Sequence, residues 1–84
     1  MSVITIYTRA LCAYCNLAKR LLKERGLVFR EIDLTTQPNI ERELLARTSQ
    51  RTIPQIFIDD QFIGGYRELA SLSREGRLTS TPAG

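Results

Sequence analysis

Cys12-Ala13-Tyr14-Cys15 holds both cysteines of the chain, spaced i and i+3, four residues after the run Val3-Ile4-Thr5-Ile6-Tyr7-Thr8. Two thiols at that spacing share one helical face and lie close enough to close a small disulfide. A helix opening at this point aims its unpaired N–H groups and positive dipole end at the first sulfur. That environment favours thiolate over thiol, and the thiolate is the nucleophile. A free thiol titrating near 8.5 is only about 3% ionised at pH 7. The helix terminus contributes about 1–2 kcal/mol toward ionisation, so direct N–H bonds to the sulfur, from Tyr14 and Cys15, and nearby Arg9 must add to it. Cys12 is then the attacking thiol, and Cys15 the resolving thiol, kept protonated by burial. A C-x-x-C between a strand and a helix reads as a thioredoxin-like redox site. A zinc site within one chain fails, because no third Cys and no His complete four ligands.

The elements that must position these thiols follow from periodicity. Val3 to Thr8 is β-branched and aromatic, hence a strand. From about Ala13 to Arg25, Leu17, Ala18, Leu21 and Leu22 recur at helical spacing with Lys19, Arg20, Lys23 and Glu24 opposite. Gly26 is the C-terminal stop. Val28 to Asp33 reads as a second strand and Leu34 to Pro38 as a loop. Ile40, Leu44 and Leu45 mark a second helix, supported by a Glu43–Arg47 pair at i, i+4. Gln55 to Ile58 and Gln61 to Ile63 read as strands joined by the two-residue turn Asp59-Asp60. Tyr66 to Glu75 is a last helix ended by Gly76, with Leu78 docking back on the core. Tyr7, Leu17, Leu21, Ile56, Phe57, Ile58, Leu69 and Leu72 are the expected core, while Tyr14 is exposed beside the thiol. The order β-α-β-α-β-β-α combines a parallel crossover with a hairpin in one four-stranded mixed sheet flanked by helices. It places Cys12 at the carboxyl end of the first strand, where open α/β sheets bind ligands.

Eighty-four residues make one small domain, with 79–84 expected to be a flexible tail. An apolar fraction of 43% is ordinary for a globular chain, and two cysteines cannot build a multi-disulfide scaffold. The N-terminus runs straight into a strand without a basic and then apolar leader, and no apolar run approaches a membrane span. The expectation is a cytoplasmic, monomeric protein that engages no membrane. Net charge is +3, and ten of the twelve basic residues are Arg, scattered rather than clustered. That pattern argues against nucleic acid and for a small anionic substrate.

Two further stretches carry chemistry. Thr52-Ile53-Pro54 is, at its plainest, a turn before a strand. Proline also forces Ile53 into an extended conformation, so its N–H and C=O are free to pair with an incoming peptide backbone. Gly64-Gly65-Tyr66-Arg67-Glu68 is at its plainest a helix entry after a glycine break, and a helix entry also binds anions.

Taken together, Tyr7-Thr8-Arg9 before Cys12-Ala13-Tyr14-Cys15, then Thr52-Ile53-Pro54, then Gly64-Gly65-Tyr66 resemble the glutaredoxin family, over nearly the whole chain. The resemblance implies a thioredoxin-like α/β fold, strand order 2-1-3-4 and a cis peptide before Pro54. It implies a glutathione-dependent thiol–disulfide oxidoreductase acting on glutathionylated and disulfide-containing proteins. Glutathione would lie along Tyr14, Thr52, Ile53, Pro54 and Gly65, its cysteinyl unit on Ile53. Its γ-glutamyl carboxylate would bind the N–H groups of Tyr66 and Arg67. Glu68 stands where the family usually has Asp to meet the ammonium, and Arg9 with Gln50 or Arg51 would meet the glycyl carboxylate. Ala13, where such proteins most often have Pro, keeps a second reading open: a [2Fe-2S] cluster bridged between two chains by Cys12 and two glutathiones. A third is an electron donor reduced by thioredoxin reductase.

Overall fold

The computed structural model describes residues 2–78; the expected tail at 79–84 lies outside them. Seven elements follow the expected order: β1 (Ile4–Thr8), α1 (Ala13–Glu24), β2 (Phe29–Asp33), α2 (Pro38–Thr48), β3 (Gln55–Ile58), β4 (Gln61–Gly64) and α3 (Tyr66–Arg74). The sheet runs β2-β1-β3-β4, with β1 and β2 parallel and the other neighbours antiparallel. The strand order and the cis peptide between Ile53 and Pro54 are those the resemblance implies. No helix among the described residues is long and apolar enough to cross a membrane.

Alternation along the strands divides the core in two. Ile4, Ile6 and Ile56 point to one face, where Ala18 and Leu22 of α1 and Leu69 of α3 cover them. On the other face Phe57 meets Leu34 and Leu44, with Tyr7, Ile32, Ile53 and Phe62 around them, so α2 supplies the second layer. Leu78 packs against the first cluster, as expected. The Asp59-Asp60 turn carries both central residues at positive φ, +51° and +65°. That is the requirement of a hairpin turn whose twist matches the strands. Asp59 also ties the turn to β1, its Oδ1 accepting the Val3 N–H at 2.8 Å.

Three expectations need correction. Leu17 is 38% exposed rather than core; Leu21, Leu22 and Ala18 already fill the side of α1 that faces the sheet. Pro38 opens α2 instead of ending a loop. Its fixed φ suits the first helical turn, where a missing N–H breaks no helical bond. Arg47 does not pair with Glu43: its guanidinium lies 4.6 Å from the centroid of the Phe57 ring, where the ring face outcompetes a solvated ion pair.

These assignments predict contrasting truncations. Leu69→Ala should destabilise by about 3 kcal/mol, whereas Leu17→Ala should change stability by less than about 1 kcal/mol. Denaturant melts of the two variants check this; equal losses would contradict the burial pattern.

Candidate active site

β1 ends at Thr8, and four residues carry the chain from the sheet edge into α1. Leu11 makes the turn at φ +58°, a left-handed conformation unusual for a branched apolar residue, with its side chain fully exposed. Ala10 is held by a 2.9 Å bond from its N–H to Thr35 Oγ1. Cys12 then takes an extended conformation as the N-cap of α1, and its sulfur accepts the Cys15 N–H at 3.2 Å. The first turn of α1 contains no acidic residue, so nothing on the helix neutralises its positive end. The Cys15 amide thus makes the bond expected of it; the Tyr14 amide makes no such bond to the sulfur. Arg9 is turned away, its guanidinium paired with Glu41 of α2.

The second thiol is held in its protonated form. Cys15 is 1% exposed, and both cysteines are free thiols. Burial, then the hydrogen bond with Cys12, pushes the Cys15 thiol up to about 12, against the pull of the Arg9 backbone. One sulfur therefore faces solvent at a helix N-terminus while its neighbour keeps its proton.

Across from Cys12 stands the loop ending in Pro54. The Cys12 Sγ lies 3.8 Å from the Ile53 carbonyl oxygen. Gln55, fully buried, fixes this loop: its Nε2 donates to the carbonyls of Gln50 (2.8 Å) and Thr52 (3.0 Å). The third wall is the entry to α3. Gly64 has φ +119°, and a Cβ there would come within 2.4 Å of Glu68 Oε1. Glu68 folds back to accept the Gly65 N–H at 2.6 Å. A Cβ on Gly65 would stand 3.2 Å from the Pro54 carbonyl, so the two backbones approach closely.

These walls enclose a groove of about 340 Å³ lined by Tyr14, Gln50, Thr52, Ile53, Pro54, Gly65, Tyr66, Arg67 and Glu68. All nine are among the eleven substrate-binding positions read from the sequence. The tyrosine rings of positions 14 and 66 face each other at 6.0 Å between centroids. Arg9 and Arg51 stand apart from the groove: Arg51 lines a neighbouring cavity with Gln50 and Ile53, and Arg9 is occupied by Glu41.

A family model described as glutaredoxin matches residues 4–63. The chain belongs to the glutaredoxin family. Glutaredoxin 3 of Escherichia coli K12 is 40% identical over 78 residues, covering 93% of this chain and 94% of the relative. A glutaredoxin of Pseudomonas aeruginosa is 40% identical over 78 residues, covering 93% of each. The structure of a buckwheat glutaredoxin–glutathione complex superposes with a TM-score of 0.83 at 30% identity, covering 92% of this chain and 73% of that one. This glutaredoxin therefore carries redox-active cysteines in a thiol–disulfide oxidoreductase fold.

Among the described residues, no three Cys, Asp, Glu or His side chains gather in a metal-binding arrangement. With Cys15 buried, the sulfur that one chain of this glutaredoxin offers at its surface is Cys12. Sequence reasoning missed Glu41 and Gln55. Glu41 left no local signal, since its partner is 32 positions away. The signal for Gln55 was a polar residue directly after Pro54, inside an apolar strand.

The sign of the Cys15 effect follows from its raised value. The folded state keeps a proton that an ordinary free thiol releases at lower pH. Stability from neutral Cys15 is fully present below about pH 9 and is lost as pH rises through about 12. Cys15→Ser should therefore show a shallower fall in melting temperature across that window than the parent protein. At pH 8 an alkylating agent should modify one thiol per native chain, and mass spectrometry should place it on Cys12. Equal labelling of both would contradict the asymmetry.

Proposed function

We propose that this glutaredoxin uses glutathione as its thiol co-substrate and reduces protein–glutathione mixed disulfides and protein disulfides. The observation that carries this reading is the groove beside Cys12, whose walls present peptide-binding backbone at Ile53 and a helix N-terminus at Tyr66. The buckwheat relative in its glutathione complex supports it.

Ile53 offers its N–H and C=O to the cysteinyl unit, as an added strand would use them. Because its carbonyl lies 3.8 Å from the Cys12 Sγ, a cysteine paired there brings its own sulfur within reach of attack. The γ-glutamyl carboxylate binds the N–H groups at the start of α3. Glu68 Oε1 is engaged by Gly65, which leaves Oε2 for the ammonium. Tyr14 and Tyr66 wall the groove.

In the monothiol route, the Cys12 thiolate attacks the glutathione sulfur of a mixed disulfide. A Cys12–glutathione disulfide forms and the protein thiolate leaves. A second glutathione thiolate attacks the glutathione sulfur of that adduct, giving glutathione disulfide and restoring Cys12. In the dithiol route Cys12 attacks a protein disulfide, and Cys15, giving up its proton, displaces the protein from the mixed disulfide. Two glutathiones then reduce the Cys12–Cys15 disulfide. The high proton affinity of Cys15 keeps it from competing with Cys12 for the first attack.

Cys12→Ser should lose all thiol exchange. Cys15→Ser should keep deglutathionylation and lose direct reduction of protein disulfides, with release of the target thiol as the readout. Turnover supported by thioredoxin reductase and not by glutathione with glutathione reductase would overturn the proposal.

A further inference from the structure

Among the described residues, the large apolar side chains that stand exposed are Val3, Leu11, Tyr14, Leu17 and Val28. Three of these five fall within the seven positions 11–17, around Cys12. Leu11 is the extreme case, fully exposed at φ +58°. Neither property serves the fold. Glycine or asparagine takes that left-handed conformation at lower cost, and an exposed leucine contributes no burial. From Ala10 to Leu17 the chain also carries no Asp, Glu, Lys or Arg, although charged residues make up 25% of the sequence. Apart from buried Cys15, all of those residues reach the surface. Exposed surface depleted of charge, with a large aromatic group in it, has the composition of the centre of a protein–protein contact.

What covers this patch follows from the sulfur it surrounds. Tyr14 is a wall of the groove beside Cys12 and Leu11 is not, so a tripeptide lying on Ile53 and Tyr66 leaves Leu11 uncovered. In a protein–glutathione mixed disulfide, the protein half is bonded to the sulfur held in that groove. In a protein disulfide, the attacked sulfur becomes bonded to Cys12 itself. Either way the target chain is tethered beside the residue that follows Leu11. Tyr14 and Leu17, at i and i+3 on α1, share a helical face and extend the apolar surface along the helix. Resting on the proposed glutathione reading, we infer that Leu11, with Tyr14 and Leu17, is a docking surface for the target protein that selects cysteines flanked by apolar side chains. Leu11 is the specificity-determining residue of that surface. A target with charged flanks would lose hydration there and meet no opposite charge in return.

The test uses two glutathionylated peptides of equal length, the cysteine flanked by leucines in one and by serines in the other. Glutathione and glutathione reductase regenerate the enzyme in both assays. The leucine peptide should show a KM about three- to tenfold lower with kcat unchanged, an effect of apolar contact on binding rather than on chemistry. Leu11→Asn replaces the apolar side chain with a residue that tolerates the left-handed turn. It should bring the two KM values together, a ratio read within the one variant and so independent of any change in its thiol. Leu11→Met should keep the ratio. Val3→Thr, which removes an exposed apolar group at the far end of β1 from Cys12, should keep it as well. Equal KM values for the two peptides in the parent protein would overturn the inference and leave the glutathione reading in place. A ratio that survives Leu11→Asn, or one that is lost in Val3→Thr, would also overturn it. Failure of glutathione to support turnover of either peptide would overturn the glutathione reading, and this inference with it.

Discussion

A helix that begins on a sulfur is the constraint around which this molecule is arranged. N-caps are ordinarily oxygen acceptors; here Cys12 takes the place, accepting the Cys15 N–H at 3.2 Å. The bond holds only if the chain leaves β1, reverses and meets the axis of α1 with the sulfur over its open end. Leu11 at φ +58° supplies the reversal, and the Thr35 hydroxyl fixes the strand-to-helix segment at Ala10. A negative residue in the first turn of α1 would compete for the same dipole, and none is there.

Chemical asymmetry between the two thiols then needs no separate device. They are one turn apart, yet the residue at the mouth of the helix can be reached and the residue inside is packed against the sheet. Burial opposes charge on Cys15, and the adjacent Cys12 opposes it further. Position along one helix alone therefore separates a reachable sulfur from a buried one that keeps its proton.

The elements and their order were legible because each rests on local chemistry. Helical recurrence of Leu21 and Leu22, β-branching in Val3 to Thr8 and a two-residue acidic turn are properties of short segments. The two-cysteine motif at the mouth of α1 was legible for the same reason. What could not be read was pairing between segments far apart in the chain. Arg9 stands beside the thiol motif in sequence, yet its guanidinium is paired with Glu41 on α2. Arg47 was matched to a neighbour on its own helix, yet the Phe57 ring on β3 holds it. Leu17 satisfied the apolar period and still faces solvent, since α1 packs on the sheet with a narrower stripe than the period allows. In each case a contact made only by the folded chain outcompeted one visible in the sequence.

The glycine pair is the clearest case of a sequence detail whose reason is tertiary. Glu68 is one methylene longer than the Asp usual at its position, and that length lets Oε1 reach back to cap the Gly65 N–H. The returning side chain fills the space where a Cβ of Gly64 would stand, 2.4 Å from Oε1. Gly64 is therefore required by Glu68 as well as by its own φ of +119°. Gly65 is required by the opposite wall, because the Pro54 carbonyl sits 3.2 Å from where its Cβ would be. The two halves of the groove, the Pro54 loop and the α3 entry, thus meet backbone to backbone at one residue. The distance between them is set by main-chain contact rather than by side chains that could swing aside. A groove fixed in this way presents the Ile53 amide and the α3 N-terminus at one fixed spacing, the spacing on which the proposed glutathione reading relies.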